Sequence, residues 1–359
     1  MAGDASTSTS TSGSTSSGTS QSWQGSTSED GFDASEGPEA RVGLRYTLSQ
    51  VRRDPTALLG LAIIAVMTTV ALIAFVDSIV FDVLGDVAFF ADLGVRKYAL
   101  AETVWINPVN DPNNAQILRP PVGLTNELYP NQPGTLEHPL GTDHRGRDVL
   151  ARLFYGTRIA ITVGIVSTGI AMILGTVVGS VAGYYGGRID DALMRGTEVL
   201  FAIPFLVLVI AFMTAFGRNL TFAMVGVGIA TIPTFARLIR SRVLSVREED
   251  FVEAARAAGV RDRNVIARHI IPNSFAPVLV QATLQVGINI LIIAGLSFLG
   301  YGAQPPTPSW GQMLSNSRNY MLPNPWFSIW PGIAILVTVV GFNLLGDGLR
   351  DALDPRINN

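Results

Sequence analysis

The 359-residue chain contains no cysteine, a single lysine (Lys97) and only three histidines. Without cysteine there can be no disulfide, no thiol catalysis and no cysteine-ligated metal, and the redox compartment stays open. His138, His144 and His269 are too scattered to form a metal site, so neither a metal nor a catalytic residue is expected. No G-x-x-x-x-G-K-S/T phosphate loop occurs, so any ATP hydrolysis must belong to another polypeptide. Charged residues make up only 15% of the chain against 48% hydrophobic ones, the balance of an integral membrane protein. No nucleic-acid partner is expected; membrane lipid is.

Apolar stretches of about 20 residues, the length that crosses a hydrocarbon core of roughly 30 Å, occur six times. They run from Ala57 to Val76, Ile159 to Ala182, Val199 to Phe216, Leu220 to Phe235, Val278 to Leu299 and Trp330 to Leu345. Only Gly217, Arg218 and Asn219 separate the third from the fourth, which predicts an antiparallel hairpin. The fold class is thus all-α and polytopic, with six transmembrane helices. The centres of the later five spans contain no Asp or Glu, and the first has only Asp77 at its outer edge. A proton-coupled carrier usually needs such a group inside the membrane, and an ion-coupled carrier or channel stays a distant alternative.

Polar residues within the spans are few. Gln281, Gln285 and Asn289 share one face of the fifth span, where they either line a wet pathway or hydrogen-bond between helices. Gly175, Gly179 and Gly183 give the second span a face without side chains, suited to close helix packing. Pro204 and Pro233 each remove a backbone hydrogen bond and can kink the third and fourth spans.

The chain divides into a Ser/Thr-rich acidic tail with a basic pre-membrane segment (1–54), a first span (55–77), a long outer loop (78–157), a five-span core (158–346) and a short tail (347–359). Composition predicts that the first forty residues are disordered. They lack the basic and apolar pattern of a cleavable signal, so the first span is expected to serve as an uncleaved anchor. Arginines set the orientation. Arg41, Arg45, Arg52 and Arg53 precede the first span, and Arg237, Arg240, Arg242, Arg247, Arg256, Arg261, Arg263 and Arg268 crowd the segment after the fourth. The positive-inside tendency places both regions, and with six spans both termini, in the cytoplasm. Between Glu102 and Pro139 the outer loop is rich in Pro, Asn and Gly and predicts irregular structure with little core of its own.

Within 236–277, the basic loop between the fourth and fifth spans, lies EEDFVEAARAAGVRDRNVIARHIIPN. The small residues Ala254, Ala255, Ala257 and Ala258 let a short helix press close to a partner, Glu253 offers a carboxylate, and Gly259 supplies a C-cap before the chain turns toward Ile271 and Pro272. An ordinary surface helix is also compatible with Ala-Ala-Arg-Ala-Ala, which simply favours helix.

This string resembles the Glu-Ala-Ala loop of ABC importer permeases, with His269 standing where the general pattern has Ile and Ile271 replacing Leu. HPLGTDHRGRDVLARLFYGTR, GYYGGRIDDALMR, LSFLGYGAQPPTPSWGQML and NLLGDGLRDALDPR make the likeness specific to the dipeptide, oligopeptide and nickel permease family, and within it to the C-type subunit. It covers the chain from Arg52 to Arg356 except about Asp77 to Glu137, where this chain is longer than the family usually is. The resemblance implies the type I importer permease fold with a cytoplasmic coupling helix, working in the cell membrane. It also implies import of peptides, or alternatively nickel or another small solute, with a homologous B-type permease, cytoplasmic ATPases that bind ATP and Mg, and an extracytoplasmic solute-binding protein. The chain itself would hold no cofactor. Glu253, Ala254, Ala255, Gly259, Ile271 and Pro272 would carry coupling to the ATPases. For the flanking motifs the residues themselves predict a tight turn built on Gly141, Asp143, Gly146, Arg147 and Asp148, and an outer aromatic anchor at Trp310.

Overall fold

The computed structural model describes residues 52–86, 94–104, 117–125 and 130–353, and these form helices joined by loops, with one isolated β-bridge between Thr142 and Asp148. The expected disordered tail lies outside the described residues. Helix α1 (Pro55–Phe75) starts under an Asp54 cap, has Pro55 at its first position, and continues through a π turn (Val76–Val80) into Phe81–Gly85. After the short α2 (Ala99–Val104) come α3 (Val149–Tyr185), α4 (Gly187–Ala202), α5 (Phe205–Phe216) and α6 (Leu220–Val246). The segment beyond α6 holds α7 (Asp250–Ala257) and α8 (Asp262–Val265), the latter running through a π turn into Ile271–Ser274. Then follow α9 (Ala276–Phe298), α10 (Trp310–Ser317) and α11 (Trp326–Leu353).

Five of these elements are long and apolar enough to cross a membrane: α1 with its extension, α3, α6, α9 and α11. A sixth crossing exists only if α4 and α5 count together, and they meet at 90°. The expected third span is therefore broken at Pro204, one of the two prolines read as able to kink their helices. Pro204 has no N–H to donate and pushes the residue before it out of the helical region, and Ile203 is indeed extended at ψ 129°. The apolar half, α5, has 12 residues, a rise of about 18 Å. Pro233, in contrast, sits inside an unbroken α6.

The glycine face of α3 packs on α6. A methyl group on Gly175 would stand 2.5 Å from Phe235 Cβ, one on Gly179 would collide with the Ala236 carbonyl, and one on Gly183 would lie 3.0 Å from Val243 Cβ. The two backbones thus touch nearly directly. On the other side α1 packs against α11, where Gly60 faces the Leu345 backbone and Gly348 faces Ala57. These contacts gather the start of α1, the ends of α3, α6 and α11 and the whole 247–275 segment at one end, the loop end. The opposite end, around Pro305, carries Asp77, Asp148 and α10.

At the Pro305 end the described parts of the outer segment share a core with the spanning helices. Leu118 and Val149 cluster with Trp310, Met313 and Phe327, all nearly inaccessible to solvent. This core is shared with the spanning helices rather than belonging to the outer segment alone. The expected role of Trp310 is corrected: it is 3% exposed, lies against Gly156 and donates its indole N–H to Leu153 O at 2.9 Å, so it is a core residue and no boundary anchor. The tight turn forms as expected. Asp143 accepts the Arg145 and Arg147 N–H groups and the Arg147 guanidinium (2.7 Å), while Asp148 caps α3 through Ala151 N and meets His138 Nδ1 at 2.8 Å. The turn leads straight into the spanning α3, whose first turns are helical well before Ile159.

Candidate functional site

Helix α7 is built to stay in place while leaving one face uncovered. Asp250 and Glu253 lie in its first turn, where the helix dipole favours acids, and the alanines favour helix throughout. It ends in a Schellman motif: Gly259, at φ +74°, donates to Arg256 O at 2.9 Å, and Val260 N donates to Ala255 O at 3.1 Å. Val252 is fully buried in a cluster with Val265, Ile266, Ile270, Ile239 and Val243, and Ala255, Val260 and Ile271 pack against its rim. The opposite face carries Phe251, Glu253, Ala254, Ala257, Ala258 and Gly259, all exposed. Among the described residues, no atom beyond its chain neighbours stands within 4 Å of where a Gly259 side chain would begin. Pro272 is exposed, whereas Ile271 is half-buried. The predicted coupling residues thus fall into a presenting set (Glu253, Ala254, Gly259, Pro272) and a seating set (Ala255, Ile271).

The three polar residues of α9 separate as well. Asn289 is wholly buried and donates to Thr168 Oγ1 of α3 at 3.0 Å, so it ties two helices together. Gln285 Nε2 donates to Asn289 Oδ1 at 3.0 Å, and Gln285 also borders a cavity of about 400 Å³. That cavity lies at the α4–α5 break, between Phe201, Ile203, Pro204 and Phe205 on one side and Thr231, Thr234 and Ile288 on the other. Gln281 is half-buried and is not part of its wall. The arrangement is a mostly apolar recess with an amide at one edge, next to a helix break that frees backbone N–H and C=O groups.

Several residues that organise the site carried no individual role in the sequence reading. Arg240 of α6 grips Asp190 of α4 with two guanidinium nitrogens, Nε at 2.6 Å, and so ties the first turn of α4 to α6. Tyr184, at the end of α3, donates to Asp262 at 2.7 Å. The motif GYYGGRIDDALMR contains both Tyr184 and Asp190, so the signal was present, but their partners lie 78 and 50 positions away. Among the described residues no cluster of His, Cys, Asp or Glu could hold a metal.

Broken and glycine-packed apolar helices around a recess, with a short exposed helix at one end, define a multi-pass membrane protein of the transport class. Residues 175–359 match the family model described as the binding-protein-dependent transport system inner membrane component. The chain belongs to this family and is a permease component of such a system. It is 46% identical over 235 residues to the dipeptide transport system permease protein of Alkalihalophilus pseudofirmus, covering 66% of this chain and 77% of that one. It is 44% identical to the glutathione transport system permease protein of Pectobacterium atrosepticum, covering 64% and 76%. Among solved structures, the inward-facing MetNI methionine ABC transporter matches with a TM-score of 0.48 at 17% identity, over 56% of this chain and 97% of that one.

Proposed function

We propose that the chain is one of two homologous permease subunits of an ATP-driven importer of dipeptides or short oligopeptides. The observation that carries the reading is α7, seated by Val252 but open on its Glu253–Ala254 face. An apolar Phe251 that is 42% exposed beside small residues and a carboxylate offers shape and charge to a groove on another protein. That protein is a cytoplasmic ATPase, which supplies the ATP and Mg chemistry that this chain's sequence lacks. The loop end, with its arginines, and both termini then face the cytoplasm. An extracytoplasmic solute-binding protein delivers cargo at the Pro305 end. The recess at Pro204, with Gln285, Thr231 and Thr234, is this chain's share of the passage, completed by the second permease. Peptide cargo is supported by the names of the relatives, which transport dipeptides and glutathione.

The test is uptake and substrate-stimulated ATPase activity of the assembled complex carrying Glu253→Lys or Gly259→Asp. A left-handed backbone costs a non-glycine residue about 1–2 kcal/mol, and the new side chain would enter the space a partner fills. Both variants are expected to lose most uptake; unchanged uptake and stimulation would remove α7 from the coupling role.

A further inference from the structure

Tyr184 occupies the point where the 247–275 segment meets the spanning helices. It is the second-to-last residue of α3 and is 6% exposed. Its ring lies under the Arg256 guanidinium of α7, whose central carbon is 4.9 Å from the ring centroid, and its hydroxyl donates to Asp262 Oδ1 at the start of α8. One side chain thus holds both limbs of the loop, one on either side of the Gly259 turn. From the end of α6, Arg247 donates to the carbonyls of Gly183 (3.1 Å) and Tyr184 (3.3 Å), which closes the junction onto the α3 backbone.

What Tyr184 holds is stiff. The glycine seam locks α3 to α6 at backbone distance, and α3 is a helix of 37 residues, about 55 Å long. Its far end is capped by Asp148, which is itself tied to His138. We propose that Tyr184 is a positioning residue that converts displacement of α7 into tilting of the α3–α6 pair, so that motion at the loop end reaches the opposite end of the molecule. This rests on the reading of α7 as the coupling helix. The apolar cluster around Val252 also joins α7 to α6, but apolar packing is non-directional and permits sliding. The stacked guanidinium orients α7 and the hydroxyl-to-carboxylate bond orients α8, so both limbs of the loop are fixed to α3 in direction as well as in distance.

The experiment is substrate imported per ATP hydrolysed, measured on the complete complex in proteoliposomes with its solute-binding protein and a labelled dipeptide. Tyr184→Phe keeps the ring beneath Arg256 and removes the hydroxyl that bonds Asp262. It is expected to lower that ratio about fivefold, within the roughly 2- to 30-fold range over which single substitutions change coupling between sites. Asp262→Ala should do the same, and the double variant should lose no more than either alone. Tyr185→Phe, whose ring is 47% exposed, should keep the ratio. An unchanged ratio in Tyr184→Phe, or a loss of uptake that only follows the amount of complex assembled, would overturn the proposal. Glu253→Lys in the same preparation separates the two readings. A wild-type ratio there removes the coupling role of α7 itself, whereas a defect there with a normal Tyr184→Phe removes only the role of Tyr184.

Discussion

His144 sits in the turn before α3, its imidazole stacked between Tyr320 and Phe327 with ring centroids 6.1 and 6.0 Å away. Burial holds its pKa below the ordinary 6.5; Asp143 pulls it up, and Arg147 and Arg145 reinforce the burial. Because the folded pKa is the depressed one, the unfolded chain takes the proton first. The stability this site contributes is complete above the unfolded value of roughly 6.5 and is lost as pH falls through the folded value. The purified protein in detergent should therefore melt lower at pH 5 than at pH 7.5, and His144→Phe should narrow that gap; an unaltered gap would place the acid sensitivity elsewhere. Nothing local in the sequence marks this slot, because Tyr320 and Phe327 come from the far side of the chain. Asp77 is similar. Its position at the end of the first span was legible, but not that it is fully buried and accepts the Leu100 and Ala101 N–H groups and the Tyr155 hydroxyl.

At the scale of elements, hydrophobic run length located the spans, because bilayer thickness is a constraint that each helix meets alone. The third departs from a straight helix and is a sixth span only if α4 and α5 count together. The run from Val199 to Phe216 is apolar enough, yet the chain leaves the helical region at Ile203 and Pro204 and turns through 90°. Pro233 is chemically the same residue and leaves α6 continuous, with its flank held by the glycine seam of α3. Local sequence cannot tell these two prolines apart; packing does. The seam itself was legible, since four-residue spacing of glycine has few other uses. Gly179→Leu should accordingly cost stability at the upper end of the about 1–3 kcal/mol typical of overpacking, read as a lower unfolding midpoint in detergent. Gly169→Leu, on the same helix with open space around its Cβ position, should be nearly neutral. Equal effects would mean that the seam is not a close contact.

For the whole molecule, the informative feature is the division of labour between ends. The loop end presents α7 and carries Arg240, Arg247, Arg256, Arg261, Arg263 and Arg268, the Pro305 end is knotted by Asp143, Arg147, Asp148 and His138, and α3 runs from one to the other. The exposed face of α7 and its Gly259 turn were readable from sequence, because a short helix and its cap are local events. The recess at Pro204 was not, since it needs α4, α5, α6 and α9 together. Gln285 was placed correctly on a polar face, but only the fold separates it from Asn289, which is spent on Thr168. The most direct measurement is uptake of a labelled dipeptide into proteoliposomes holding the chain with its second permease and ATPase subunits. Uptake is expected to require both ATP inside the complex's cytoplasmic compartment and the loaded solute-binding protein on the other side. Uptake by this chain alone, or at the same rate without ATP, would contradict the permease-subunit reading.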